Sequence, residues 1–235
     1  MPTTYYKIRG SRVSIAEYRR MFPSAFSFAV AVMMKPFGGI SFPAFVSRME
    51  ALNEVEWDDL PRIARDAFQE PFHSFERSGF DFLFCYKIPV LARGTYSIAA
   101  ISVSEDGLMI AMANFVKEMN RRDRASAVAT FYDDGTMGFT TTGTGILKSR
   151  PNFRIQRLPG ATAFELCAAH RRQMTEWAER SRPVKLNAQQ VREKVLETEQ
   201  SIVDFQIERG VYVRVPDEDV ERIRKQIDKE SRFDH

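Results

Sequence analysis

Residues 95–142 read TYSIAAISVSEDGLMIAMANFVKEMNRRDRASAVATFYDDGTMGFTTT. Two apolar runs, Thr95–Ser104 and Leu108–Val116, are joined by Glu105-Asp106-Gly107. Two more, Ala125–Tyr132 and Thr136–Thr142, are joined by Asp133-Asp134-Gly135. Asp-Gly between strand-like runs is a strong short-range hairpin signal, because glycine supplies the positive backbone angle of a tight turn. Two such hairpins predict an antiparallel meander, with Lys117–Arg124 as the charged link between them. Phe153–Leu158 reads as a further strand and Tyr5–Arg9 as a short edge strand, giving a sheet of about four to six strands.

These strands do not alternate cleanly. Ile98 and Ala100 point one way, Ile101 and Val103 the other. A sheet apolar on both faces must be covered on both. The small residues on one face, Ala99, Ala111, Ala113, Ala127, Ala129 and Gly138, leave room either for a closely packed helix or for a pocket.

Upstream lies Asp59–Pro89, a long amphipathic helix running into an aromatic strand. Asp59 is placed to cap the helix and Pro61 fits its first turn. Ile63, Ala64, Ala67, Phe68, Phe72 and Phe75 recur at three- and four-residue spacings and form one stripe. Pro71 interrupts the pattern and is expected to kink or split the helix. Gly79 suits a left-handed cap. The period then falls to two, placing Phe80, Phe82, Phe84, Tyr86 and Ile88 on one strand face. Two rows of rings result. They form a core, or they line a cavity for an apolar ligand, for which Phe68, Phe72, Phe75, Phe82, Phe84 and Tyr86 are the candidate contacts.

The flanks are helical. Ser14 and Glu17 have capping-box spacing, as do Thr162 and Glu165. The second box opens a helix with the stripe Ala163, Leu166, Cys167, His170, Met174 and Trp177. Phe22–Phe45 is apolar and broken by prolines. It reads as a buried helix or strand over Phe26–Met34 and a Gly-Gly turn, or as an exposed apolar element preceded by the basic pair Arg19-Arg20. Ser41 and Pro43 could open a helix to about Leu52. Asn187 caps a helix through about Arg209, Gly210 stops it, Val211–Val215 is extended, and Pro216-Asp217 opens a last helix. The fold class is therefore α+β, with residues 1–180 as the core domain and 181–235 as a helical extension that packs on the core or on a partner.

A formal net charge of +3 on 235 residues is small and gives no footprint for nucleic acid. Two distant cysteines make no disulfide framework and fit a reducing, cytoplasmic setting. Tyr5–Arg12 is polar and basic where a secretory leader needs an apolar core, and no window suits a membrane span. Cys167 and His170 lie one helical turn apart, but on an apolar stripe, where a structural role is expected. Cys85 reads as a small apolar filler. Gly143-Thr144-Gly145-Ile146-Leu147-Lys148-Ser149 ends like a phosphate loop but lacks glycine directly before lysine. No catalytic constellation, metal site or cofactor motif emerges, and an enzyme is the least supported class.

Three functions remain. The first is a non-enzymatic binding or interaction module that meets a protein partner through its C-terminal helices, or itself as a homodimer. The second is a carrier or sensor of an apolar small molecule or lipid, held between the sheet and the aromatic helix. The third is a peripheral membrane protein acting through residues 22–46 without spanning the bilayer.

Overall fold

The computed structural model describes residues 3–22, 24–39, 45–92, 94–118, 121–178 and 180–231. In chain order the elements are β1 (Thr4–Ile8), α1 (Ile15–Met21), α2 (Ala25–Met34), β2 (Phe45–Arg48), β3 (Asn53–Val55), α3 (Arg62–Arg77), β4 (Phe80–Ile88) and β5 (Tyr96–Ser104). They continue with β6 (Ile110–Glu118), β7 (Arg121–Phe131), β8 (Met137–Thr141), β9 (Phe153–Arg157), α4 (Ala163–Trp177), α5 (Ala188–Glu208), β10 (Tyr212–Arg214) and α6 (Asp217–Ser231). The chain is α+β.

The large sheet has seven strands in the order β3-β4-β5-β6-β7-β8-β9, and a second sheet has three, β10-β1-β2. The sequence led us to expect four to six strands in one meander. The hairpins at Gly107 and Gly135 form, each glycine in the left-handed region. Most of the expected link over Lys117–Arg124 is itself strand, because β6 and β7 pair out to Glu118 and Arg121. The meander ends at β8. The crossover after it returns the chain parallel, so β9 pairs with β8 in the same direction. Phe45–Arg48 is a strand rather than part of a helix, paired with β1, while Ser41 and Pro43 lie outside the described residues.

Helix α3 runs unbroken through Pro71, and its first turn is preceded by Pro61 without a side-chain cap from Asp59. The capping boxes at Ser14–Glu17, Thr162–Glu165 and Asn187–Gln190 are all closed.

Both faces of the large sheet are covered. Against one face lie α3 and α4, whose Ala64, Phe68, Phe75, Leu166 and Cys167 pack on Cys85, Ile98, Ala111, Ala113 and Phe115. Small residues permit this approach, and Gly138 lies so close to Trp177 that a β-carbon would sit 2.3 Å from the indole. The other face receives α5, whose Val191 and Val195 pack on Phe84, Tyr86, Ala99, Ile101 and Ile110. Ala125, Ala127 and Ala129 share this second face through their pairing with Asn114, Met112 and Ile110.

The strand pairing changes register between Phe82 and Phe84. An extra residue in a strand inverts the alternation beyond it. Phe80 therefore joins the α3–α4 core, while Phe84 and Tyr86 turn to the α5 side. The single aromatic face expected for this strand is divided between two cores.

Residues 188–231 pack on the chain itself. Helix α5 is tied to β2 by Arg48 and Asp204, with Nε to Oδ1 at 2.8 Å and Nη2 to Oδ2 at 3.2 Å. Strand β10 completes the small sheet, and Val220 of α6 packs with Tyr5, Leu91 and Val215.

Candidate functional site

Beyond the stretch where α5 touches the sheet, the helix and the strands diverge. They leave a half-open cavity of about 760 Å³. Small-molecule sites usually fall between roughly 300 and 1,000 Å³, with apolar walls and a few polar groups. This cavity has that character. Its floor is the second face of the sheet, with Met112, Asn114 and Ala125 on the central strands and Phe139 and Ile155 facing each other across β8 and β9. Its roof is the C-terminal half of α5, with Glu199, Ile202, Phe205 and Gln206. Met21 and Phe22 close one end from α1, together with Ile8 and Tyr212 of the small sheet.

The remaining wall is the crossover from β8 to β9. It contains the segment Gly143–Ser149 that superficially resembles a phosphate loop. No helix opens there. Gly145 has φ +55°, and a β-carbon on it would lie 2.6 Å from Arg157 Nη2, so the loop lies flush on that side chain.

This wall is pinned by a buried carboxylate. Glu17 is 1 % exposed. Its Oε1 accepts from Lys148 N at 2.6 Å and Arg209 Nη1 at 2.8 Å, and its Oε2 accepts from Arg209 Nη2 at 2.9 Å and Ser14 N at 2.8 Å. Gln206 Nε2 adds a bond to Lys148 O at 2.8 Å. One carboxylate thus joins α1, the loop and the end of α5. Burial alone would raise its pKa, but the Arg209 guanidinium and the Ser14 and Lys148 bonds outweigh it and bring it to about 2.

Inside the cavity the notable polar group is Glu199. Its Oε1 accepts a hydrogen bond from the buried Tyr86 hydroxyl at 2.8 Å. Burial raises the carboxyl pKa, and the Tyr86 bond only partly offsets this. Glu199 is partly buried and lines the cavity, so its side chain is within reach of an occupant. Burial and the neighbouring Glu199 also hold the Tyr86 phenol well above its ordinary range.

The six aromatic residues singled out in the sequence do not converge. Phe68 and Phe75 are buried between α3 and the sheet, and Phe72 packs at the edge of that cluster. Phe82 is 48 % exposed, with its ring beside Trp57 and Phe72. Phe84 is buried on the α5 side beneath Arg192, whose guanidinium carbon lies 4.7 Å from the ring centre. Tyr86 is fully buried and does not line the cavity; its hydroxyl bonds Glu199, which does.

His170 is fully buried, and both ring nitrogens are occupied by threonines: Nε2 with Thr130 Oγ1 at 3.0 Å and Nδ1 with Thr140 Oγ1 at 2.9 Å. Burial lowers its pKa to about 4. Such an imidazole is neutral and fully hydrogen-bonded, and serves to join α4 to the sheet. Cys85 and Cys167 are buried free thiols, Cys85 pushed up to about 12 by burial. Among the described residues no three His, Cys, Asp or Glu side chains cluster in a way that could hold a metal ion. Among them, too, no helix is long and apolar enough to cross a membrane.

No family model, curated protein or solved structure matches this chain. Function is therefore inferred from the chemistry and geometry of the site.

Proposed function

We propose that the chain is a binding module that carries or senses a small apolar molecule, in the cavity between α5 and the second face of the sheet. The observation that carries this reading is the cavity itself: about 760 Å³ of mostly apolar space with a carboxyl group held inside it. Apolar walls around a space of this size favour an apolar occupant, whose surface and theirs are both withdrawn from water on binding. The ligand that fits has an apolar body and one polar group to meet Glu199 or Asn114. On this reading the apolar ligand lies on the α5 side of the sheet, away from the α3 rings.

The test uses N-phenylnaphthylamine, a neutral fluorophore that brightens in apolar surroundings. Wild-type protein should bind it saturably. Ile202→Trp, which adds an indole to the roof at a position already 40 % exposed, should weaken that binding tenfold or more while the thermal midpoint stays near that of the wild type. Equal binding by both proteins would reject the reading.

A further inference from the structure

Helix α2 is built the wrong way round for a surface helix in water. Its sequence, AFSFAVAVMM, carries no charge. Ala31 is buried against Val13, Tyr18 and Val211, which fixes the inner side. The outer side is apolar as well: Phe26 is 81 % exposed, Met33 64 %, and Phe37 in the following turn 83 %. The outward stripe of a helix on a water-soluble surface is normally polar.

The charges of the segment that carries this stripe are one-sided. Residues 3–39 hold six cations, Lys7, Arg9, Arg12, Arg19, Arg20 and Lys35, and a single acid, Glu17. That acid is buried and bound to Arg209. Of the cations, all but Lys35 are exposed. The segment therefore shows water an apolar ridge among cations with no exposed acid of its own, in a chain whose total net charge is only +3.

We propose that α2 docks on an anionic lipid bilayer, with Phe26, Met33 and Phe37 entering the interface while the surrounding cations meet acidic headgroups. Apolar insertion and basic attraction are each weak alone and give stable, reversible membrane binding together. A second copy of the chain fits this face less well, because a self-interface would oppose two cationic rims. The inference stands independently of the cavity, although Met21 and Phe22, just ahead of α2, form one end of that cavity.

The experiment is flotation of the full chain with phosphatidylcholine vesicles, with and without phosphatidylserine. The wild type should float with the phosphatidylserine vesicles, remain behind with phosphatidylcholine alone, and be released several-fold by added salt. Phe26→Ser with Phe37→Ser should reduce flotation tenfold or more with an unchanged melting curve, since both rings lie outside the core. As a second readout, the Phe26→Trp protein should show a blue-shifted emission on adding the acidic vesicles. The proposal is overturned if the wild type stays at the bottom at low salt, or if the double variant floats as well as the wild type. It is equally overturned if the wild type is a dimer that the double variant dissolves, because the ridge is then a protein interface.

Discussion

Replacing Glu17 with glutamine removes one charge and almost no volume from the point where α1, the cavity loop and α5 meet. The folded carboxyl has a pKa of about 2 against an ordinary 4.5. At about 1.4 kcal/mol per unit, that difference is worth about 3 kcal/mol. Loss of one partner from a buried ion pair costs a similar amount, roughly 3–5 kcal/mol, because Arg209 keeps its charge without its counter-ion. The folded pKa is depressed, so this stabilisation is fully present above the unfolded value and drains away as pH falls toward about 2. Urea unfolding of wild type and Glu17→Gln should therefore differ by about 3 kcal/mol near neutral pH, and by only about 1 kcal/mol near pH 3. The difference between the two proteins isolates Glu17 from every other titrating group. A gap below about 1 kcal/mol at neutral pH, or one that does not shrink in acid, would refute the reasoning, since a loss caused by shape has no reason to follow the carboxyl's titration.

Other outcomes follow from the same geometry. His170 should titrate near 4 by NMR, so that wild-type stability starts to fall as pH drops below about 6.5, where the unfolded imidazole takes up a proton that the folded one refuses; a measured value near 6.5 would mean that the ring is hydrated. Gly138→Ala should cost about 1–3 kcal/mol in thermal unfolding, because its methyl meets Trp177 at 2.3 Å, and an unchanged midpoint would show that α4 stands off the sheet. Neither thiol should react with Ellman's reagent in the native protein at mildly alkaline pH, both being buried with raised pKa values; rapid labelling without denaturant would contradict their placement.

Much of the sheet was legible because local chemistry sufficed. The Asp-Gly turns at Gly107 and Gly135, the capping boxes at Ser14–Glu17 and Thr162–Glu165 and the Asn187 cap each depend on a few adjacent residues. The stripe of α3 likewise showed which side of that helix is buried. What stayed hidden depended on distant parts of the chain. Nothing in Phe80–Ile88 marks the shift after Phe82, since the even-numbered positions stay large and apolar on both sides of it. That one residue decides whether Phe84 and Tyr86 face α3 or α5. The small residues were ambiguous for a related reason. They do not share one face: Ala111, Ala113 and Gly138 admit α3 and α4, whereas Ala99, Ala127 and Ala129 lie on the α5 side, and composition alone separates neither the faces nor close packing from a void.

The cavity was the least legible feature. Its walls come from Met21 in α1, Phe139 and Ile155 in neighbouring strands, the Gly143–Ser149 loop and Glu199 in α5. No local periodicity links those positions. The loop is distinguished in sequence only by its partial likeness to a phosphate motif, and Glu199 is one of several charged residues along α5 with nothing local to mark it. Residues 22–46 carried both of their possible readings in the sequence. The exposure of Phe26, Met33 and Phe37 fits the exposed-element reading for α2, while residues 40–44 lie outside the described part of the chain.

Native mass spectrometry of freshly purified wild type and Ile202→Trp, run side by side, tests the central claim most directly. The account predicts an additional small mass on the wild type, lost on denaturation and absent or strongly reduced in the variant. The same adduct on both proteins, or a wild type that is bare and also fails to take up added N-phenylnaphthylamine, would contradict it.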